Sequence, residues 1–148
     1  MAPPATIHRV RIDLSDVDRG VYEALDFRVA RHPSETLRFM LTRILAYALA
    51  YEEGIAFSKA GLHDSDEPPV AIHDPTGASP QLRVWLDVGS PAAPRLHKAA
   101  KSAKAVRIFT HSELASLRAE AASIHKASTI AVTTIAPAFL DALEGHVE

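Results

Sequence analysis

The acidic residues Asp66, Glu67 and Asp87 are the part of this sequence whose types and spacing are best suited to chemistry. Asp66-Glu67-Pro68-Pro69 leads into the short apolar run Val70-Ala71-Ile72. Asp74-Pro75-Thr76-Gly77 is strong turn chemistry. Beyond it Leu82, Val84 and Leu86 alternate with Arg83, Trp85 and Asp87, the period of a strand. The stretch Asp66–Gly89 therefore predicts a β-hairpin. When it is folded about Gly77, Glu67 lies as far before the turn as Asp87 lies after it. Directly opposite residues of an antiparallel pair share a face, about 5 Å apart at Cβ. That register gathers two carboxylates at one end of the hairpin, a costly arrangement unless a divalent cation or a basic side chain joins them. Asp87 also ends an otherwise apolar strand, so it needs a partner in any case. A metal ion would serve, and so would an ion pair with Arg31, Arg95 or Lys98. Which of Asp66 and Glu67 faces the shared spot is left open, and Asp-Glu-Pro-Pro is also ordinary turn composition.

These residues need elements to hold them. Thr6–Leu14 and Tyr22–Ala30 alternate apolar and polar residues on either side of the turn Ser15–Gly20, and predict an N-terminal hairpin. Pro33–Glu53 carries the helical stripe Leu37, Met40, Leu41, Ile44, Leu45, Ala48 and Leu49, with Pro33 suited to the first turn and Gly54 to the end. A short strand is expected over Ile55–Lys59, a helix over Pro94–Lys104, and a buried strand over Ala105–Thr110. A helix over Glu113–Ile124 follows, capped by Ser112, then a strand over Thr129–Ile135 and a last helix over Pro137–His146. The order predicts an α/β chain of the α+β kind, a mixed sheet covered on both faces. One domain spans 1–148: an N-terminal hairpin over 1–30, a core over 33–110, and C-terminal helices and strand over 111–148.

Composition narrows the function classes. Among 148 residues, 47% are hydrophobic and 23% charged, an ordinary globular balance. The formal net charge of −2 advertises no global field for nucleic acid, so any basic surface must be local. With no cysteine there are no disulfides, no thiolate metal sites and no cysteine nucleophile. No apolar run is long enough to span a bilayer, and the N-terminus lacks the pattern of a secretory signal. A cytoplasmic protein with no membrane association is the expectation. The histidines show no metal-ligand spacing. Trp85 reads as core.

The helix, three strands, helix, strand order resembles the core of the PD-(D/E)XK nuclease superfamily, the restriction-endonuclease-like fold. The match is closer to one family, YaeQ. It rests on Ala5-Thr6-Ile7, Ala30-Arg31-His32-Pro33-Ser34-Glu35-Thr36, Asp66-Glu67-Pro68, Trp85-Leu86-Asp87-Val88-Gly89-Ser90-Pro91, and Arg95 with Lys98-Ala99. These blocks run the length of the chain in the right order. The resemblance implies a nuclease-type site. Asp66, Glu67 and Asp87 would be its metal ligands and Glu35 the additional acid of the first helix. Lys98 would be the catalytic lysine that the superfamily more often carries two residues after the strand acid, where this chain has Gly89. In that setting the carboxylates would hold Mg²⁺, leaving positions for water and phosphate oxygens. Arg31, His32, Arg38 and Arg95 would meet a nucleic-acid backbone.

Each assignment has a plainer counterpart. Glu35 near a helix start suits the helix dipole whatever the function, His32 is placed to cap that helix, and lysines on a helix face are commonly solvated. The chain also departs from the family pattern at Pro69 and Ala92, where members often carry acids, and it stops at Glu148, where members usually continue into another short hairpin. The family is linked besides to transcription antitermination. Two functions follow as expectations: a metal-dependent nuclease or phosphodiesterase, or a non-catalytic binding or regulatory module on the same scaffold.

Overall fold

The computed structural model describes residues 5–58, 67–111 and 129–147, with positions 119 and 122 besides. The expected loop over 61–65, the residues Lys59 and Asp66, and nearly all of the helix expected over 113–124 lie outside the described residues.

Strands β1 (Thr6–Asp16) and β2 (Val21–Arg31) form an antiparallel two-stranded ribbon in which Val10 faces Phe27 and Ile12 faces Leu25. Helix α1 (Leu37–Leu49) follows, then β3 (Ile55–Phe57), β4 (Val70–Ile72) and β5 (Leu82–Val88). Helix α2 (Ala93–Ser102) crosses to β6 (Ala103–Thr110), with β7 (Ile130–Thr134) and helix α3 (Pro137–Glu144) last. The second sheet runs β3-β4-β5-β6-β7; its first three strands are antiparallel, and β5, β6 and β7 are mutually parallel. The expected mixed sheet is thus present. No helix among the described residues is long and apolar enough to cross a membrane.

The strand period sorts side chains to the two faces. Leu86, Val88 and Phe109 join Met40, Leu41 and Ile44 of α1 and Leu140 of α3 in one core, which Val10, Ile12 and Phe27 of the ribbon also reach. Trp85, Val106 and Ile108 pack with Leu96, Ala99 and Ala100 of α2 on the opposite face. From Trp85 to Val88 every residue of β5 is buried, as a central strand covered on both faces requires.

Three expectations need correction. Helix α1 begins at Leu37, not Pro33: residues 32–35 form a turn, with the Glu35 N–H on the His32 carbonyl at 2.9 Å, and Thr36 is the N-cap, its Oγ1 accepting from the Phe39 N–H. Glu35 therefore precedes the helix rather than lining its first turn. The helix ends at Leu49 instead of Glu53, where Arg19 from the β1–β2 turn donates to the Leu49 and Tyr51 carbonyls. Gly54 consequently belongs to the turn before β3, at φ +93°. The hairpin register also differs by two residues. Val70 pairs with Leu86 and Ile72 with Val84, which sets Glu67 opposite Gly89 and Pro69 opposite Asp87. The Asp74–Gly77 turn forms, with the Gly77 N–H on the Asp74 carbonyl, but Ala78–Gln81 lengthen the connection and move its midpoint past Gly77. Because the slip is even, Glu67 keeps the strand parity of Asp87.

Candidate functional site

A cleft of about 420 Å³ opens at the carboxyl end of β5. Phe39 of α1 forms one wall, Glu67 and Pro69 ahead of β4 another, and Asp87 through Pro91 with Arg95 of α2 the third. Crevices beyond the carboxyl ends of parallel strands are the usual ligand sites of open α/β sheets. Here β5 and β6 are parallel and α2 starts just past the strand end, so the chain must leave the sheet and open a gap. Gly89, at φ +86°, makes that exit.

Asp87 is the fixed point of the cleft. It is 2% exposed. Its Oδ2 accepts from Arg95 Nε at 2.7 Å and from Trp85 Nε1 at 3.3 Å, and its Oδ1 from the Val88 N–H at 3.1 Å. Arg95 reaches further: its Nη2 donates to the Glu67 carbonyl at 3.0 Å, and its guanidinium lies 5.4 Å from the Trp85 ring centroid. One arginine thus ties the N-terminal end of α2 to both arms of the hairpin. The Glu67 side chain is exposed and accepts from Ser58 Oγ at 2.7 Å.

The remaining candidate residues are placed elsewhere or less directly. Glu35 is buried against Arg43, which donates to both of its carboxylate oxygens at 3.1 Å, and the His32 N–H adds a third bond at 3.1 Å. Arg43 also donates to the Ala30 carbonyl at 2.8 Å. Arg31 donates through Nε to the Glu35 carbonyl at 3.0 Å. His32 Nδ1 accepts from the Ser34 N–H at 3.1 Å. Arg38 binds Asp141 and, at 2.9 Å, Glu144, joining α1 to α3. None of these five residues lines the cleft. Lys98 does not line it either; it is exposed and lies three residues along α2 from Arg95, hence on the same side of the helix. Asp66 lies outside the described residues. Among the described residues the cleft holds Glu67, Asp87 and Arg95 together.

Sequence reasoning misses three contributors. Phe39 forms a cleft wall although it reads only as a helix residue. Trp85 is core, at 1% exposure, yet its indole N–H serves the acid two positions on. That i, i+2 spacing on one strand face is the available signal. Arg43 neutralises Glu35 from eight residues away, a separation no local pattern ranks.

The family model described as YaeQ protein matches residues 1–148. The chain belongs to the YaeQ family. Curated relatives carry the name "Uncharacterized protein YaeQ": that of Escherichia coli K12 is 34% identical over 116 residues, covering 78% of this chain, and that of Salmonella typhi is 33% identical over 116 residues. The chain spans 61% of the length of these YaeQ proteins. Among solved structures, the YaeQ protein from Pseudomonas syringae superposes with a TM-score of 0.83 at 30% identity, covering 99% of this chain and 80% of that one. The YaeQ protein from Xanthomonas axonopodis pv. citri gives the same TM-score at 28% identity, covering 97% and 81%.

Proposed function

We propose that this YaeQ-family chain carries a metal-dependent phosphodiester site of the restriction-endonuclease-like kind, acting on nucleic acid, with Glu67 and Asp87 as metal-binding acids and Arg95 as the phosphate-binding base. The observation that carries the reading is the composition of the cleft: two carboxylates and one guanidinium converge in it. That excess of negative charge repels a bare phosphodiester and favours a cation. The order α1, β3-β4-β5, α2, β6 supports the same reading, since it is the helix, three-strand, helix, strand arrangement of that superfamily.

The donor set suits Mg²⁺ in kind. Magnesium binds through one or two carboxylates and keeps several waters, rather than demanding a cage of protein ligands. No group of three acids or histidines able to hold a metal occurs among the described residues, which accords with two carboxylates and an ion left mostly hydrated. When bound, the ion would supply a water of lowered pKa and charge compensation at phosphorus. Asp87 presents its carboxylate from a rigid strand, oriented by Trp85 and the Val88 N–H. Arg95 offers a planar fork suited to a phosphate. Lys98, one turn along α2, is placed to extend that basic side. Magnesium and nucleic acid would put such an enzyme in the cytoplasm.

The second reading is a non-catalytic binding or regulatory module, with transcription as its setting. One observation favours it: both Asp87 oxygens are already engaged, and Gly89 stands where the superfamily more often has its lysine. Titration of Mg²⁺ and Mn²⁺ into the wild type, Asp87→Asn and Glu67→Gln by calorimetry, followed by cleavage assays on single- and double-stranded DNA and RNA, separates the two. The metal-dependent site requires wild-type binding that either substitution weakens by about tenfold or more, the scale of losing one ligand, and cleavage only with the metal. A wild type that binds no divalent ion and cleaves nothing leaves the binding module.

A further inference from the structure

We propose that Arg95 is a built-in competitor for the cation: its guanidinium occupies Asp87 in the metal-free chain and must swing away before a divalent ion can use that carboxylate. The inference rests on the metal-dependent reading above. Among the described residues three donors hold Asp87, and only one of them can leave. Trp85 is locked in the α2 core at 1% exposure, and the Val88 donor is backbone. Arg95 is a long side chain with 26% of its surface exposed, against 3% for the Asp87 side chain it covers. A solute entering the cleft therefore meets the guanidinium first.

The exchange balances charge at every point. In the metal-free chain Arg95 compensates an acid that could not otherwise remain ionised and buried. With a divalent ion in place, Asp87 is compensated by the metal. The displaced guanidinium has then given up its acid, and a phosphate oxygen pair becomes its best partner. Arg95 holds its resting place through Asp87, the Glu67 carbonyl and the Trp85 ring together. Metal alone must outcompete all of these contacts, whereas metal with a phosphodiester replaces them. The device keeps the site closed to divalent ions until a substrate offsets part of the displacement.

Removal of the competitor is the test. Mn²⁺ is titrated calorimetrically into the wild type, Arg95→Met and Arg95→Lys, and melting temperature is recorded with and without Mn²⁺. Arg95→Met is expected to bind Mn²⁺ on the order of tenfold more tightly than the wild type, the scale of a typical coupling between sites. Its melting temperature should fall without metal and rise with Mn²⁺ by more than the wild type's does. Arg95→Lys keeps the charge but loses the fork that reaches Glu67, so it should tighten Mn²⁺ binding less, and it gives the answer if Arg95→Met does not fold. Unchanged Mn²⁺ affinity in the folded variants overturns the competitor while leaving the metal site standing. No Mn²⁺ binding by any of the three proteins overturns both.

Discussion

Glu35 shows how a residue with the right chemistry can be committed to structure. Its side chain is 0% exposed and that of Arg43 5%, and the pair is completed by the His32 N–H and the Ala30 carbonyl. Removing one partner of such a pair strands a buried charge, which costs about 3–5 kcal/mol. Arg43→Met should therefore lower the urea-unfolding free energy by roughly that amount, and the double variant Glu35→Leu with Arg43→Met should recover most of it. Equal stability of the single variant and the wild type would mean the pair contributes nothing. Sequence reasoning groups Glu35 with the catalytic acids because its surrounding block is distinctive. What it does not show is that the chain turns before Thr36 and aims the carboxylate at a later arginine. Asp87 is legible for a sounder reason: a charge at the end of an apolar strand must be answered wherever the strand goes.

The elements depend on turns whose demands differ. Gly54 and Gly77 both lie at positive φ, +93° and +71°. A Cβ on Gly54 would stand 2.3 Å from the His73 carbonyl oxygen, whereas one on Gly77 would meet nothing within 4 Å. The Gly54 carbonyl also accepts the His73 N–H at 2.9 Å, holding the start of β3 to the end of β4. Gly77→Ala should cost only the left-handed penalty of about 1–2 kcal/mol. Gly54→Ala should cost clearly more, because the backbone of one strand has to move. Matching denaturation midpoints for the two variants would refute this steric account. The Asp-Pro-Thr-Gly signal locates the turn, but not the four residues after it that set the register. Strand pairing is decided by which faces bury, so Leu86 and Val70 on the α1 face, not the symmetry of the turn, impose the two-residue offset.

At the scale of the whole molecule, stability toward acid is spread over surface carboxylates. Asp16 is held below the usual carboxylate range by its hydrogen bond from Arg19, Asp26 by that from Arg9, and Asp74 by that from Thr76. A carboxylate whose folded pKa is depressed contributes stability that is complete above its unfolded value, near about pH 4, and is lost as pH falls through the lower folded value. Stability measured by urea at stepped pH should hold level down to about pH 4–5 and decline below it, and Asp26→Asn should flatten part of that decline. An unaltered acid limb in Asp26→Asn would show that the Arg9 contact carries no linkage. The sequence by itself determined the family, the order of helices and strands, and the acids that had to be answered, since periodicity, turn chemistry and the cost of burying charge are local or nearly so. Only the tertiary structure decided which base answers which acid. Arg43 went to Glu35, Arg38 to the last helix and Arg95 to Asp87, because pairing across the sheet depends on which side chains the two cores leave within reach.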